Sequence, residues 1–273
     1  MFYPQNLHTH TTFFDGKDDC EEIVLKALEI GFTGIGFSEH AHMSYGMNSS
    51  CMTGEKAELY KQEVARLKKK YDGKIDIFCG LEFDQYSDTD LTGYDYIIGA
   101  NHYLKLGNEF VAFDRDAQTV KNVIDCYFDG DGLRFAKEYY RQLSELADYG
   151  NFDILGHIDL ISKNCEMYPL FDETDERYQK YAVDALYALK DKIPVFEVNT
   201  GAISRGYRTS PYPRPFLLKE MVKAGVGILL SSDCHNKEHL SKGFAEAIEL
   251  CKSCGVKELQ VLTKGGFKGI PLE

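Results

Sequence analysis

The feature that most constrains the fold is an alternation, along the whole chain, of short apolar runs with longer amphipathic segments. The runs have the length of buried strands, and the segments between them have the period of helices. Strands that alternate with helices pair in parallel through crossovers, as in a doubly wound sheet or a barrel. The strand-like runs are 6–12, 34–40, 75–83, 94–103, 152–159, 194–200 and 225–235, and the helical segments include 20–31, 55–71, 134–150 and 177–191.

A barrel is favoured over an open sheet because polar residues able to do chemistry follow nearly every run. In a β/α barrel such residues collect at the C-terminal ends of the strands, whereas an open sheet concentrates them at one switch point. We therefore predict one α/β domain over residues 1–273, a distorted (β/α)7 TIM-like barrel. Residues 258–265 are a candidate for an eighth strand, and Gly31, Gly150 and Gly225 are expected to end helices.

Composition and charge narrow the function classes. Of the 273 residues, 44% are hydrophobic and 27% are charged, as expected for a globular domain. The net charge of −12 argues against binding to nucleic acid. With no run of 18 apolar residues and no signal-peptide pattern, we expect a cytoplasmic protein that does not contact membranes. The eight cysteines include one CxxC pair, Cys251 and Cys254, without the second pair that a zinc site needs.

Histidine placement carries most of the functional information. Seven of the eight histidines lie at or just past the end of a predicted strand, and the eighth, His239, is interpreted as a surface residue. A single histidine near a core is usually only hydrogen bonded, but seven at equivalent positions indicate a shared site. Residues i and i+2 of a strand face the same side. The pair His8 and His10, and the pair His40 and His42, can therefore each reach one site.

Carboxylates accompany these histidines. Asp15 is a candidate ligand or a turn residue, and Glu82 follows an apolar run, where a buried carboxylate needs a cation or a proton. Asp233 forms a DxH pair with His235. Nine groups exceed what one ion binds, so we expect two to three divalent metal ions, Zn, Mn or Fe. The predicted ligands are His8, His10, Asp15, His40, Glu82, His102, His157, Asp233 and His235.

Six motifs follow one another along the chain: HTHTTFFDG, FSEHAH, GLEFD, GANH, LGHIDL and SSDCH. In this order they resemble the PHP (polymerase and histidinol phosphatase) family over nearly the whole chain, and most of all its stand-alone histidinol-phosphate phosphatases. The resemblance implies a distorted seven-stranded barrel, a trinuclear metal site with the nine ligands named above, and phosphomonoester hydrolysis. Asp15 stands where many relatives have histidine, a difference that could shift metal preference without changing the chemistry.

This metal site suggests a mechanism. Two ions that share a water lower its pKa to about 7 and so provide a hydroxide that attacks phosphorus. We expect Glu82 to bridge the ions and Asp233 to pass a proton from water to the leaving alcohol. His42 is expected to contact phosphate or protonate the leaving group, the alternative being a supporting role behind the ligands.

Phosphate binding needs donors beyond the metal ions. Arg205, in the loop after the sixth strand, is the first candidate because its planar guanidinium suits phosphate oxygens. Lys163 and Arg208 are weaker candidates, and for all three the alternative is solvation at the surface. Glu197 and Asn199 can either contact substrate or fill the barrel interior, so they are left unassigned.

The leading hypothesis is metal-dependent hydrolysis of L-histidinol phosphate to L-histidinol and inorganic phosphate, in histidine biosynthesis. One alternative is a PHP phosphoesterase for a nucleotide, a sugar phosphate or a short oligonucleotide, although the acidic surface argues against long nucleic acid. The other is a non-catalytic metal-binding scaffold, which the nine filled ligand positions disfavour. The acidic and aromatic segment 107–131 suggests a lid over a small cationic alcohol.

Overall fold

The structure, a computed structural model, describes residues 2–44 and 51–272 as strands and helices that alternate along the chain. The strands are β1 (Gln5–Asn6), β2 (Gly34–His40), β3 (Asp76–Asp84), β4 (Tyr96–Ala100), β5 (Tyr103–Leu106), β6 (Glu109–Ala112), β7 (Ile154–Leu155), β8 (Val195–Asn199), β9 (Gly227–Ser231), β10 (Glu258–Thr263) and β11 (Gly266–Pro271). The helices are α1 (Cys20–Ile30), α2 (Gly54–Lys70), α3 (Ala117–Phe128), α4 (Gly132–Leu143), α5 (Glu176–Leu189), α6 (Gly201–Ser204), α7 (Pro215–Ala224) and α8 (Phe244–Ser253).

Seven of these strands form one parallel sheet that closes on itself. Their order is β1-β2-β3-β4-β7-β8-β9, with every neighbouring pair parallel. Closure takes place beyond the ends of β1 and β9. There the His10 amide donates to the Cys234 carbonyl at 2.9 Å, and the Cys234 amide donates to the His8 carbonyl at 3.3 Å. The predicted distorted seven-stranded barrel is confirmed.

Side chains alternate along the strands between the barrel interior and the surrounding helices. On β3, Phe78 belongs to an interior cluster, while Ile77 and Cys79 belong to the core beneath the helices. Glu82 lies four residues after Phe78 and so shares its inward face. The barrel thus has an apolar lower end, towards the N-terminal ends of the strands, and a polar upper end, at their C-terminal ends. The interior cluster consists of Leu7, Phe78, Tyr96, Ile98, Ile154, Val195, Leu229 and Leu262.

The last two strands form an antiparallel hairpin outside the barrel sheet. The segment 258–265 therefore does contain a strand, but not an eighth barrel strand. The hairpin covers the lower end of the barrel. The Gln5 side chain donates to the Leu262 carbonyl at 2.9 Å and accepts from the Leu262 amide at 2.7 Å. The Leu262 side chain joins the interior cluster and closes it from below.

Two of the three glycines predicted to end helices do so. Gly31 and Gly225 cap α1 and α7 in the left-handed conformation, with φ of 93° and 75°. The prediction that Gly150 ends a helix is wrong, because α4 is already capped at Ser144. The Ser144 hydroxyl donates to the Arg141 carbonyl at 2.6 Å, a local bond that competes with helix continuation.

Two further properties bear on the sequence predictions. All eight cysteines, Cys251 and Cys254 included, are free thiols. Among the helices described, none combines the length and the apolar composition that crossing a bilayer requires.

Candidate metal centre

All nine predicted ligands converge at the C-terminal end of the barrel strands. Their imidazole and carboxylate groups form four overlapping sets, and within each set one ligand atom per residue lies within 4.8 Å of the others. Atoms bound to one zinc-like ion at about 2.0–2.3 Å lie no farther apart than this, so each set is compact enough for an ion. The sets are His10-Asp15-His40-His235, His8-His10-Asp233, His8-Glu82-His157 and His40-Glu82-His102.

Glu82 lies at the centre of this cluster. Its Oε1 is 3.0 Å from His157 Nε2 and 3.4 Å from the Nε2 atoms of His8 and His102. Its Oε2 is 2.8 Å from His40 Nδ1. Burial favours the neutral acid, but His40, His8 and His102 together hold the pKa of Glu82 well below its usual range. An ionised carboxylate between several imidazoles is suited to bridging metal ions.

His8 and His10 leave β1 side by side, and both are fully buried. His10 Nε2 lies 3.2 Å from Asp233 Oδ1, and the His10 ring stacks on His235 with centroids 4.2 Å apart. Burial and the neighbouring His235 and His40 lower the pKa of His10 to about 3. The imidazole is therefore neutral near pH 7, which is the form that binds a metal ion.

Asp233 turns towards the cluster with an unusual backbone. Its φ is 45°, in the left-handed region, which aspartate adopts more readily than most residues. Its Oδ1 faces His10 and lies 3.6 Å from His8 Nε2. Its Oδ2 accepts from Arg205 Nη2 at 2.8 Å, and Arg205 Nη1 donates to the Asp233 carbonyl at 2.9 Å. Asp233 therefore connects the ligand cluster to a guanidinium.

The short loop 11–16 brings Asp15 to the cluster. The Gly16 amide donates to the Thr11 carbonyl at 2.9 Å, and the Thr11 amide donates to Glu39 Oε1 at 2.7 Å. Asp15 Oδ2 then lies 3.3 Å from His235 Nε2. Although partial burial favours the neutral acid, His235 and the other neighbouring histidines lower the pKa of Asp15. Asp15 thus lies in a candidate ligand set as well as in a turn.

Several buried atoms of the cluster have no hydrogen-bond partner among the described residues. They include Nε2 of His8 and both ring nitrogens of His10, as well as Nδ1 of His40 and Oε2 of Glu82, which lie 2.8 Å apart but not in hydrogen-bonding geometry. Buried polar atoms in folded proteins are nearly always paired, and an unpaired one costs about 1–3 kcal/mol. Divalent ions would give these nitrogen and oxygen atoms their partners. The residues therefore fit a centre of several metal ions.

Two carboxylates that the sequence left unassigned lie behind the ligands. Glu197 Oε1 is 2.6 Å from His8 Nδ1, and its Oε2 accepts from the His157 amide at 3.0 Å. Asp84 Oδ2 is 2.9 Å from His102 Nδ1. Such contacts fix the tautomer and the orientation of a metal-binding imidazole. The signal for Asp84 was its place two residues after the ligand candidate of β3, on the same face.

Above the cluster opens a cleft of about 200 Å³, lined by Phe14, Asp15, His40, His102, Tyr103, Ala112, Asp114 and Arg115. Lys163 lies beside it, with Nζ 2.6 Å from Asp114 Oδ1 and 4.4 Å from the centre of the Tyr207 ring. Burial favours the neutral acid, but Lys163 and His102 lower the pKa of Asp114 to about 2. Arg205, beside Asp233, and Lys163, beside Asp114, thus both lie near the candidate ligands.

His42, in contrast, is not part of the cluster. Its Nδ1 lies 2.8 Å from Asp88 Oδ1, and it lines a separate surface pocket with Met52 and Glu58. The reason is that β2 ends at His40, so the alternation of side chains that paired His42 with His40 no longer applies. The contacts of His42 with the described residues give no support to a role in phosphate binding or proton transfer.

Arg208 also departs from its predicted role. It is only 3% exposed, and its guanidinium donates to the Ser162 carbonyl at 3.0 Å. Its Nη1 lies 3.6 Å from Glu173, and its guanidinium lies 5.2 Å from the Tyr212 ring centre. Because Arg208 is buried among these partners, it is an interior residue. The predicted contact with substrate is therefore not supported.

The segment 107–131, whose composition suggests a lid, lies beside the cleft. It forms β6 and α3, and α3 buries Val120 and Ile124 in the core. Its contribution to the cleft comes from Ala112, Asp114 and Arg115, which follow β6 or end it. Of its aromatic residues, Phe113 and Phe128 belong to the core.

Comparison with known families identifies the chain. A model of the PHP domain matches residues 6–201, well over half of the chain. This chain belongs to the PHP domain family. Asp233 and His235 follow the matched segment, and the structure nevertheless places them in the same cluster as the ligand candidates within it.

This PHP protein has relatives that match it over most of their length. It is 25% identical over 266 residues to a histidinol-phosphatase of Bacillus subtilis (strain 168), a match that covers 89% of this chain and 98% of that protein. A solved structure from Listeria monocytogenes has a TM-score of 0.77 at 20% identity and covers 89% and 99% of the two chains. The histidinol phosphate phosphatase of Lactococcus lactis, solved with Zn, L-histidinol and phosphate, has a TM-score of 0.71 at 22% identity and covers 97% and 98%. This PHP protein shares the fold of both structures.

Proposed function

We propose that this PHP protein hydrolyses L-histidinol phosphate to L-histidinol and inorganic phosphate, a reaction of histidine biosynthesis. The observation that carries the proposal is the convergence of nine imidazole and carboxylate groups, with Glu82 at their centre, at one end of the barrel. The proposal is supported by full-length similarity to a histidinol-phosphatase.

The cluster has the donor set for two to three divalent ions, Zn, Mn or Fe. His8, His10 and His40 each belong to two ligand sets. Because an imidazole normally binds through one nitrogen, the four sets describe two or three ions, not four. When bound, such ions act as Lewis acids on a phosphoryl oxygen and lower the pKa of a coordinated water to about 7. Glu82, which also belongs to two sets, is the residue proposed to bridge neighbouring ions.

Arg205 and Lys163 are the residues proposed to bind the phosphate group. Arg205 has five N–H donors, of which two are used on Asp233, so further donors remain for phosphate oxygens. Its position beside Asp233 places it next to the ligand cluster. Lys163 adds a second positive charge at the edge of the cleft, held in place by Asp114.

Asp233 is the residue proposed to transfer the proton. Burial disfavours its charge, but Arg205 and His8 hold its pKa well below the usual range, so it is ionised. The leaving alcohol needs a proton near neutral pH, and a carboxylate next to the reacting water can deliver it. Replacement of Asp233 by Asn with all metal ions and full activity retained would contradict this role.

The size of the cleft favours a small ester. Its volume of about 200 Å³ lies below the roughly 300–1,000 Å³ of pockets for drug-sized ligands. The net charge of −12 also opposes the binding of a polyanion such as an oligonucleotide. A nucleotide or a sugar phosphate is the alternative substrate, and the experiment below distinguishes these esters from L-histidinol phosphate.

The test measures phosphate release by the enzyme reconstituted with Mn or Zn. L-histidinol phosphate is compared by kcat/KM with a panel of sugar phosphates, nucleotides and dinucleotides. We expect L-histidinol phosphate to lead by several orders of magnitude. Slow and similar rates on all monoesters would overturn the proposed substrate and leave the metal chemistry in place.

A second measurement tests the metal chemistry itself. The double variant His8→Ala/His10→Ala removes residues that belong to three of the four ligand sets. We expect it to lose both bound metal, measured by elemental analysis, and phosphatase activity. Unchanged activity would overturn the assignment of the cluster and favour a non-catalytic role for this end of the barrel.

A further inference from the structure

Asp114 is a carboxylate of the cleft that the metal centre does not use. Among the described residues that line the cleft, Asp15 and Asp114 are the carboxylates, and Asp15 belongs to a candidate ligand set. Asp114 belongs to none of the four sets. It lines the cleft together with His40 and His102, and both of these histidines belong to ligand sets.

The β5–β6 hairpin fixes Asp114 beside the metal centre. Tyr103 pairs with Ala112 in the hairpin ladder, and the Phe113 amide donates to the His102 carbonyl at 3.2 Å. Asp114 is the next residue, so its backbone is tied to a segment that carries a candidate ligand. The position of its carboxylate relative to the cluster is therefore set by main-chain hydrogen bonds.

The Asp114 carboxylate has capacity for a second cation. Lys163 Nζ binds Oδ1 at 2.6 Å, and the Asp114 side chain is 31% exposed. An ionised carboxylate offers about four acceptor sites on its two oxygens, so one ammonium does not saturate it. Lys163 orients the group, and Oδ2 remains available to a ligand in the cleft.

The chemistry of the proposed substrate supplies such a cation. L-histidinol phosphate carries its ammonium group on the carbon next to the one that bears the phosphate ester. With the phosphate at the metal centre, this ammonium must lie near the adjoining wall of the cleft. Arg115, Lys163 and Arg205 would repel it there. Asp114 is the negative group available at that wall.

We propose that Asp114 binds the ammonium group of the substrate and thereby makes the enzyme selective for phosphate esters of amino alcohols. This inference rests on the proposed function, since it concerns the same cleft and the same reaction. It assigns to Asp114 a contact with the substrate and to Lys163 the positioning of Asp114.

The experiment compares two substrates on three proteins, each reconstituted with the same metal. The substrates are L-histidinol phosphate and its deamino analogue, 3-(imidazol-4-yl)propyl phosphate, which lacks only the ammonium group. The proteins are the wild type, Asp114→Asn and the control Asp116→Asn. Asp116 caps α3 outside the cleft, and asparagine caps a helix equally well, so the control makes the same charge change without touching the cleft.

We expect the wild type to prefer L-histidinol phosphate over the analogue by roughly 10- to 100-fold in kcat/KM, as for one charge-assisted hydrogen bond. Asp114→Asn should lose most of this preference, with metal content unchanged; any loss caused by displacement of Lys163, which Asp114 also contacts, falls equally on both substrates and leaves their ratio unaffected. Asp116→Asn should keep the preference of the wild type.

An equal loss on both substrates, or no loss on either, would overturn the inference and leave the proposed function intact. If Asp114→Asn does not fold, the wild type still decides, because equal rates on the two esters exclude recognition of the ammonium group. Failure of the wild type to hydrolyse L-histidinol phosphate, with activity on another monoester, would overturn the proposed function and this inference together.

Discussion

At the residue scale, the buried carboxylates around the metal centre fall into two groups. Glu82 and Asp233 face the imidazoles directly, whereas Glu197 and Asp84 lie behind them and accept from their far nitrogens. A carboxylate behind a ligand raises the basicity of the imidazole and fixes its rotamer. The second group therefore offers a way to weaken metal binding without removing a ligand.

Glu197→Gln tests this effect on His8. Glutamine keeps the shape and an acceptor oxygen but removes the charge that lies 2.6 Å from His8 Nδ1. We expect metal affinity to fall by roughly 10- to 100-fold, as for other residues behind metal ligands. Competition with a chelator, followed by elemental analysis, measures the change. Glu220→Gln, at a surface pair with Lys223, is the matched control and should change nothing; equal affinities for all three proteins would contradict the prediction.

The ligand candidates other than Asp15, which lies in a loop, could be found from the sequence because each lies at or near the end of an apolar run, and strand alternation places i and i+2 on one face. The same rule overreached at His42, since it holds only while the chain stays extended. Glu197 could not be assigned, because a carboxylate on an inward strand position can serve a substrate or a neighbouring side chain equally well. The partner that decides, His8, is distant in sequence and becomes visible only in the folded barrel.

At the element scale, the short barrel strands explain both the success and the limits of the strand predictions. The predicted run 6–12 overlaps the two-residue strand β1 only at Asn6, and 152–159 contains the two residues of β7. The remaining residues leave the ladder and carry ligand candidates, His8 and His10 in one segment and His157 in the other. Apolar patterning detects burial, which continues beyond the ladder, so it predicts the place of a strand better than its length.

The loop 11–16 has a tightly restricted geometry. A Cβ at Gly16 would lie 2.4 Å from the His10 carbonyl oxygen, a backbone atom that cannot move aside. We therefore expect Gly16→Ala to shift the loop, to cost about 1–3 kcal/mol of unfolding free energy, and to reduce the metal bound per chain by displacing Asp15. Thermal unfolding and elemental analysis measure the two effects.

The matched control is Gly54→Ala. Gly54 begins α2, and a Cβ there would meet no atom of residues 2–44 or 51–272 within 4 Å. Alanine should leave metal content unchanged and stabilise the protein slightly, by about 0.4–1 kcal/mol. If both glycine variants behaved alike, the close approach at Gly16 would not be what holds Asp15 in place.

At the scale of the whole molecule, the two ends of the barrel have separate tasks. The C-terminal hairpin closes the lower end through Leu262, and the ligands occupy the upper end. We expect Leu262→Ala to lower the unfolding free energy by about 2–5 kcal/mol, the usual cost of emptying a buried leucine site, with metal stoichiometry unchanged. Leu59→Ala, at a position 53% exposed on α2, should cost no more than about 0.5 kcal/mol. Loss of metal in Leu262→Ala would show that the two ends are coupled.

Metal removal tests the whole arrangement, because the ions and the fold should stabilise each other. Imidazoles and carboxylates buried without partners disfavour the apoprotein, and an ion present at about 100 times its dissociation constant adds about 2.7 kcal/mol to the unfolding free energy. For domains of about 150–250 residues, a loss of 1 kcal/mol of unfolding free energy lowers Tm by about 2–4 °C. Each ion removed should therefore lower Tm by roughly 5–10 °C. Thermal unfolding with excess Zn and with a chelator measures the difference. The His8→Ala/His10→Ala variant should show a much smaller one, since it lacks residues of three ligand sets. Equal Tm values for the wild type in both conditions would mean that the cluster is stable without ions, and that the unpaired buried atoms do not signal a metal centre.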